Sequence, residues 1–306
     1  MQLAHPHLRW KTGHEVSLLE NGVQLFPALC AAFDAATTSI HVEMYIFRLD
    51  IAGKQLLHHL MLAAERGLKV RVVIDGYGSA VEDETIAQAL RSVGGQCRIY
   101  RSEPKHFTFK SFDFMRLRRL HRKIVVVDGN VGFVGGINIE DDYSTADPTV
   151  RATDARFDYA VRVTGPIVLE LTEAIDLLWL RLNKSRHLHL KHLRTRLRFF
   201  KRQKMSSHVA SDNRSHSPIN PPAVTTANMR AAVILRDNLR YRRTIEQAYL
   251  FHIAAANNEI IIANAYFLPG GKLRRALIDA AHRGVKVRLL LQGKIEYQMQ
   301  YHATRW

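Results

Sequence analysis

The sequence has few of the residues that cross-link a chain or anchor it in a membrane. It holds two cysteines, Cys30 and Cys97, and no Cys-x-x-Cys pair or Cys/His cluster at metal-binding spacing. Two thiols in 306 residues exclude a disulfide framework and favour a reducing, cytoplasmic setting. No apolar run reaches the ~18 residues of a membrane span, and residues 1–30 lack the apolar core of a signal peptide. We therefore expect a chain that is neither exported nor integral.

Acidic residues are also scarce. The chain has 28 Asp and Glu against 44 Lys and Arg, a formal net charge of +16. Such an excess indicates a polyanionic partner, either a nucleic acid or an anionic lipid surface, and composition does not choose between them. The 47% of hydrophobic residues is enough for a large core and excludes disorder. At about 150 residues per domain, the length predicts two domains.

A repeated segment organises the chain. Ala64–Val72 reads AERGLKVRV, and Ala281–Leu289 reads AHRGVKVRL at an offset of 217 residues. Each copy ends an amphipathic helical pattern and leads into an apolar strand, and a strand-like segment precedes each helix (Ser39–Phe47 and Glu259–Phe267). Two unrelated βα units are the alternative explanation. The shared string favours two homologous α/β halves.

The stretch between the repeats differs in composition. Residues 177–211 contain no acidic side chain, and Lys184–Lys204 contains nine Lys and Arg with three His. Apolar residues recur there at helical spacing, which predicts a basic amphipathic arm for docking on an anionic surface; a solvated helix end is the alternative. Residues 205–229, rich in Ser, Asn and Pro, predict a flexible linker. We therefore expect a first half over residues 1–183, arm and linker over 184–229, and the start of a second half over 230–306.

The strongest chemical pattern begins at His121. It reads His121-x-Lys123-x4-Asp128 and continues to a Gly-Gly-x-Asn segment formed by Gly135, Gly136 and Asn138. The first part alone is expected by chance about 0.03 times in a chain of this composition. Strand alternation places the imidazole and the ammonium on one face. A buried core hairpin with one satisfied histidine is the alternative to a functional site.

These residue types suit phosphoryl chemistry. A neutral imidazole is a nucleophile toward phosphorus, and a lysine two residues along stabilises charge on the non-bridging oxygens. Gly135 and Gly136 allow the backbone to approach a bound group, and Asn138 offers an amide donor. Asp128 either orients this arrangement or only makes the turn at the end of the strand.

The pattern resembles the HKD signature of the phospholipase D superfamily. Glu43–Phe47, the RGxKVR repeats and Asn264–Pro269 are most similar to soluble B-type bacterial cardiolipin synthases. The resemblance implies an α/β fold, a phospholipase D-like α/β/α sandwich with two homologous halves that share one site, the second half being incomplete here.

The resemblance also implies a reaction. His121 would attack the phosphodiester of a phospholipid to give a phosphatidyl-histidine. Lys123 and Asn138 would grip the phosphate, and Asp128 would support the motif. Transesterification of anionic, phosphatidylglycerol-like lipids would yield cardiolipin with no metal and no cofactor. The protein would then act in the cytoplasm, peripheral to the inner (plasma) membrane. The role of Glu43 stays open between a site carboxylate and a buried structural one.

The sequence departs from that pattern in one respect. The repeat offset places the histidine of a second motif near position 338, and the sequence ends at Trp306 with no second H-x-K-x4-D. We expect a truncated synthase; the alternatives are a homodimer in which each chain donates one motif, or an inactive product. Two other functions stay open, a homodimeric phosphodiesterase acting on nucleic acid and a catalytically dead lipid-binding remnant.

Overall fold

A computed structural model describes residues 9–102, 119–144, 152–183, 224–236, 241–265 and 267–292. The chain divides into two compact units, one formed by residues 11–231 and the other by residues 1–10 and 232–306. The predicted arm, Lys184–Lys204, and most of the predicted linker lie outside the described residues.

An eight-stranded mixed sheet forms the centre of the larger unit. Its strands are β1 (Lys11–Glu20), β2 (Ser39–Met44), β3 (Lys69–Asp75), β4 (Gln96–Tyr100), β5 (Ile124–Val127), β6 (Val131–Gly135), β7 (Tyr159–Thr164) and β8 (Val224–Ala231). Their spatial order is β4-β3-β2-β5-β6-β7-β1-β8. The strands β2, β3 and β4 are parallel to one another, and every other neighbouring pair is antiparallel.

Helices cover both faces of this sheet. They are α1 (Asn21–Ala35), α2 (Ile51–Glu65), α3 (Asp83–Ser92) and α4 (Val168–Asn183). Alternate strand residues such as Ile40 and Val42 join α1, α2 and α3 in the main core. The other face receives α4, whose Trp179 packs with Val73. This arrangement confirms the predicted α/β/α sandwich.

The smaller unit repeats part of this architecture. It contains α5 (Thr244–Ala255), β9 (Glu259–Asn264), α6 (Gly271–His282) and β10 (Lys286–Leu291). The strands β9 and β10 pair in parallel with Lys286 opposite Glu259, just as Lys69 lies opposite Ser39 in the larger unit.

The residues shared by the two copies of the repeat make the same contacts in both. The Arg66 guanidinium donates to the Phe33 carbonyl near the end of α1 (2.7 Å), and the Arg283 guanidinium donates to the Ile253 carbonyl near the end of α5 (3.0 Å). The next residue, Gly67 or Gly284, has a φ of 84° or 86°, a left-handed conformation that ends the helix. The sequence repeat is therefore also a structural repeat.

The prediction of a flexible linker is wrong for residues 224–229. Val224–Ala231 forms strand β8, which pairs antiparallel with β1 through Leu18 opposite Val224. The hydroxyls of Ser17 and Thr225 are 2.7 Å apart. The Ser, Asn and Pro content that predicted a linker does not describe this segment, because its β-branched residues complete the free edge of β1.

Two further findings bear on the sequence analysis. Cys30 and Cys97 are both buried free thiols. Within the described ranges, no helix has the length and apolar character needed to cross a membrane.

Candidate active site

Five strand ends meet at one edge of the eight-stranded sheet. Because β2 and β3 are parallel, their carboxyl ends lie side by side. The alternating directions of β5, β6 and β7 bring the amino end of β5, the carboxyl end of β6 and the amino end of β7 to the same edge. His121 and Lys123 come just before β5, and Asn138 comes just after β6. The topology thus brings these three predicted residues to one place.

His121 and Lys123 are in direct contact. The ammonium Nζ of Lys123 lies 3.3 Å from Nδ1 of His121 and donates to the carbonyl oxygen of the same residue at 3.1 Å. The Lys123 side chain is only 7% exposed, whereas His121 is exposed. A solvent-exposed imidazole therefore lies beside a buried cation.

Tyr45 and Asn138 complete the immediate surroundings. The Tyr45 ring lies 4.7 Å from the His121 ring, centroid to centroid, and the Lys123 ammonium lies 5.2 Å from the Tyr45 centroid, within cation–π range. The Asn138 side-chain oxygen accepts a hydrogen bond from the Ile46 backbone (3.2 Å). This bond fixes the amide and leaves its NH₂ group as the donating end.

The electrostatics favour a neutral histidine beside a charged lysine. Partial burial lowers the pKa of His121, the Lys123 ammonium lowers it further, and the Asp75 carboxylate opposes both. Burial lowers the pKa of Lys123 to about 8, and Asp158 opposes that shift. Near pH 7 the imidazole is therefore largely unprotonated, while the lysine keeps most of its positive charge.

Gly135 and Gly136 have a different role from the one predicted. A Cβ on Gly135 would lie 2.5 Å from the Ala160 backbone, and a Cβ on Gly136 would lie 2.2 Å from the Asp158 carboxylate. The group that approaches these glycines is thus strand β7 with Asp158. Partial burial raises the pKa of Asp158, and Lys123 and Arg156 lower it.

Asp128 does not lie in this cluster, and of its two predicted roles the structure favours the turn at the end of the strand over orienting the site. It follows β5 at the opposite edge of the sheet, seven residues and roughly 20 Å of extended chain from His121. Its carboxylate accepts hydrogen bonds from the backbone and hydroxyl groups of Thr37 and Thr38 and from the Ser39 backbone, at 2.8–2.9 Å. Asp128 therefore joins the β5–β6 turn to the α1–β2 connection.

Buried acids support the motif strand from neighbouring strands. Asp75, at the end of β3, is fully buried and accepts a hydrogen bond from the Leu120 backbone at 2.7 Å. Glu43 in β2 is also fully buried and pairs with Arg122 at 2.8 Å. Burial raises the pKa of Glu43 to about 7 against the pull of Arg122. This ion pair joins β2 to the chain two residues before β5.

Sequence reasoning did not assign a site role to Tyr45, Asp75 or Asp158. One signal was present for Asp75, because it ends an apolar parallel strand, and ligands bind at the carboxyl ends of such strands. In the parts of the chain that the structure describes, no group of three or more His, Cys, Asp or Glu is placed to hold a metal ion.

A histidine–lysine pair at converging strand ends of an α/β/α sandwich, in a chain with a repeated βα segment, defines the phospholipase D-like class of proteins. The family profile described as "Cardiolipin synthase, PLD-like domain" matches residues 29–175 and 249–305. The chain belongs to this family.

Individual proteins agree with this assignment. The chain is similar to the cardiolipin synthase B proteins of Shigella flexneri and Escherichia coli strain K12, with 36% identity to each over 285 residues, 93% of this chain and 61% of theirs. It thus spans about three-fifths of the length of these relatives. The crystal structure of phosphatidylserine synthase from Haemophilus influenzae Rd KW20 matches 95% of this chain and 66% of its own at 12% identity, with a TM-score of 0.56, and shows the shared fold.

Proposed function

We propose that this chain takes part in phosphatidyl transfer of the cardiolipin synthase type, with His121 as nucleophile. The contact between an exposed imidazole and the buried Lys123 ammonium carries the proposal, since it joins a neutral attacking group to a fixed cation. The similarity to proteins named cardiolipin synthase B supports phospholipids as substrates.

The proposed reaction has two displacements. In the first, a ring nitrogen of His121 forms a bond to phosphorus, and the bond from phosphorus to the leaving alcohol oxygen breaks. Lys123 and the Asn138 amide hold the non-bridging oxygens as negative charge builds. In the second, the hydroxyl of an acceptor lipid attacks phosphorus, and the bond to His121 breaks. The covalent intermediate keeps the energy of the ester, so neither step needs a nucleotide.

Each displacement also moves a proton. The leaving alkoxide needs a proton, and the acceptor hydroxyl must lose one, which one group can do in turn as acid and then base. The resemblance to the superfamily assigns this work to the histidine of a second motif. We infer that residues 230–306 begin the half that carries this motif in the family pattern, or that a second copy of the chain supplies the histidine in a homodimer.

The substrates imply a site of action at a membrane surface. With 44 basic against 28 acidic residues, the chain is attracted to anionic phospholipid. We therefore propose peripheral binding to the cytoplasmic side of the inner membrane, with residues 184–204 as the principal contact.

The test supplies lipid and DNA to the same preparation. The full chain is incubated with vesicles containing labelled phosphatidylglycerol and, separately, with supercoiled plasmid, and its mass is measured by sedimentation. We expect a labelled phosphatidyl adduct on the wild-type chain and none on His121→Gln, with labelled cardiolipin in addition where a second copy supplies the second histidine. DNA nicking by a dimer, without lipid product, would replace the proposal with a nuclease function. Vesicle binding with neither product would mark a lipid-binding remnant.

A further inference from the structure

Asp75 is a buried carboxylate with no part in the proposed reaction. It is 0% exposed at the carboxyl end of β3. Its Oδ2 accepts a hydrogen bond from the Leu120 backbone N–H at 2.7 Å, and its Oδ1 accepts from the backbone N–H groups of Tyr77 (2.9 Å) and Gly78 (3.3 Å). Burial of a carboxylate is costly unless it is well hydrogen-bonded, so these contacts explain how Asp75 is tolerated.

The loop that follows Asp75 also grips the end of β2. The Ser79 hydroxyl donates to the Tyr45 carbonyl at 3.1 Å and accepts from the Phe47 backbone N–H at 2.9 Å. A Cβ on Gly78 would lie 2.3 Å from the Tyr45 carbonyl oxygen, so only glycine fits at this close approach. The loop over residues 75–79 therefore fixes the residue whose ring packs on His121.

Both ends of this loop act on His121. At one end, Asp75 holds the peptide N–H of Leu120, the residue directly before the nucleophile. At the other end, Ser79 holds the backbone of Tyr45, whose ring lies 4.7 Å from the imidazole. Two independent supports for one side chain are what a site needs to keep a nucleophile in register.

We propose that Asp75 is a positioning residue that holds the main chain before His121 in place for attack and brings its negative charge to the residue directly before the imidazole. This inference rests on the proposed function of His121 as the nucleophile. The charge of Asp75 opposes the fall in the pKa of His121 that burial and Lys123 cause. The Arg119 guanidinium lies 3.9 Å from the same carboxylate, and the Lys123 ammonium lies 3.3 Å from the imidazole, so both cations act against the effect of Asp75.

The test follows the titration of His121 directly and needs no substrate. The full chain is compared with Asp75→Asn by NMR of its histidine rings, and the His121 signal is assigned by its loss in His121→Gln. Removal of the negative charge should lower the pKa of His121. The matched control is Asp34→Asn, which changes an exposed aspartate paired with His59 and should leave the titration unchanged. An unchanged His121 titration in folded Asp75→Asn would overturn the proposal.

Lipid turnover provides the second readout. If Asp75 positions the nucleophile, the kcat of cardiolipin formation should fall about tenfold to a hundredfold in Asp75→Asn, with little change in KM. An equal rise in KM with kcat unchanged would indicate a substrate contact instead and would contradict positioning. If the wild-type chain forms no cardiolipin but Asp75→Asn still shifts the His121 titration, the proposed function fails and the effect of Asp75 on His121 stands. If the wild-type chain forms cardiolipin but Asp75→Asn leaves the titration unchanged, the inference about Asp75 fails and the proposed function stands.

A folding failure of Asp75→Asn still leaves a test. The Leu120 amide proton of the wild-type chain should exchange slowly with solvent, because it bonds to a buried carboxylate. Exchange at the rate of an open loop would overturn the proposal.

Discussion

Replacing Asp128 by asparagine tests whether the last residue of the motif is structural. The structure gives its carboxylate five hydrogen bonds, from the backbone and hydroxyl groups of Thr37 and Thr38 and from the backbone of Ser39. Asparagine tolerates the left-handed backbone that Asp128 adopts (φ 51°) but offers one acceptor oxygen in place of two. The substitution thus removes hydrogen bonds without adding backbone strain.

The size of the effect follows from the ionisation of Asp128. Partial burial alone raises its pKa, but the bonds from Ser39, Thr37 and Thr38 together outweigh burial and lower it to about 2. Against an ordinary value of about 3.9, that shift corresponds to ~2.5 kcal/mol. Solvent screening at this partly exposed turn reduces the expected loss in Asp128→Asn to about 1–2 kcal/mol.

The lowered pKa of Asp128 also predicts how the free energy of unfolding depends on pH. A carboxyl group with a depressed pKa in the folded state stabilises the protein above the unfolded pKa of about 3.9, and this contribution disappears as pH falls through the folded value, about 2. Urea unfolding should therefore show the full difference between wild type and Asp128→Asn at pH 7 and a smaller one at pH 3. As a matched control, Thr38→Val removes one hydroxyl donor and should cost about 0.5–1 kcal/mol.

An activity measurement distinguishes a structural role of Asp128 from a role in the chemistry. At a temperature where both chains are folded, Asp128→Asn should keep wild-type reactivity of His121. Full stability combined with loss of that reactivity would refute the structural role and restore Asp128 to the chemistry.

Three further predictions concern the site and its surroundings. The rate of phosphatidyl transfer should rise with pH as His121 loses its proton, at a pH below the ordinary histidine pKa. The rate should fall again near pH 8 as Lys123 loses its charge. If this fall stays at the same pH in Lys123→Arg, the assignment of the fall to Lys123 is wrong. Gly135→Ala should destabilise the fold by about 1–3 kcal/mol in thermal unfolding, because its Cβ would meet the β7 backbone at 2.5 Å. The control is Gly129→Ala, where the Cβ would meet nothing within 4 Å, so that only the cost of its positive φ is expected. Equal losses in the two variants would refute the packing argument. Binding to anionic vesicles should weaken by ~1 kcal/mol per neutralised basic residue of the arm, in a flotation assay with neutral vesicles as control, and unchanged binding would exclude the arm as the contact. The arm residues to neutralise are Arg194, Arg198, Lys201 and Arg202.

The sequence predicted those parts of the site that lie close together along the chain. The sequence predicted His121 and Lys123 on one face of a strand; both lie just before β5, and the structure brings them into contact. The same reasoning could have separated Asp128, since seven extended residues span roughly 20 Å. Helix and strand periodicity together with the repeat predicted two homologous α/β halves, and the resemblance to the phospholipase D superfamily implied the α/β/α layers.

The rest of the site depends on strand order, which local patterns do not contain. Tyr45 contacts His121, Asp75 bonds to the Leu120 backbone directly before it, and Asp158 acts on Lys123. These positions follow from the sheet order β3-β2-β5-β6-β7. The glycine pair illustrates the same limit, because its close packing against strand β7 also depends on strand order. Composition also failed for Val224–Ala231, where pairing with the edge of β1 decides the structure.

The most direct measurement of the central claim is the chemical identity of the covalent intermediate. The full chain is mixed with vesicles containing ³²P-labelled phosphatidylglycerol, quenched in alkali, digested, and mapped by mass spectrometry. The account predicts an acid-labile phosphatidyl adduct on His121 that is absent from His121→Gln and retained in Asp34→Asn. An adduct on another residue, or lipid turnover that proceeds in His121→Gln, would contradict it.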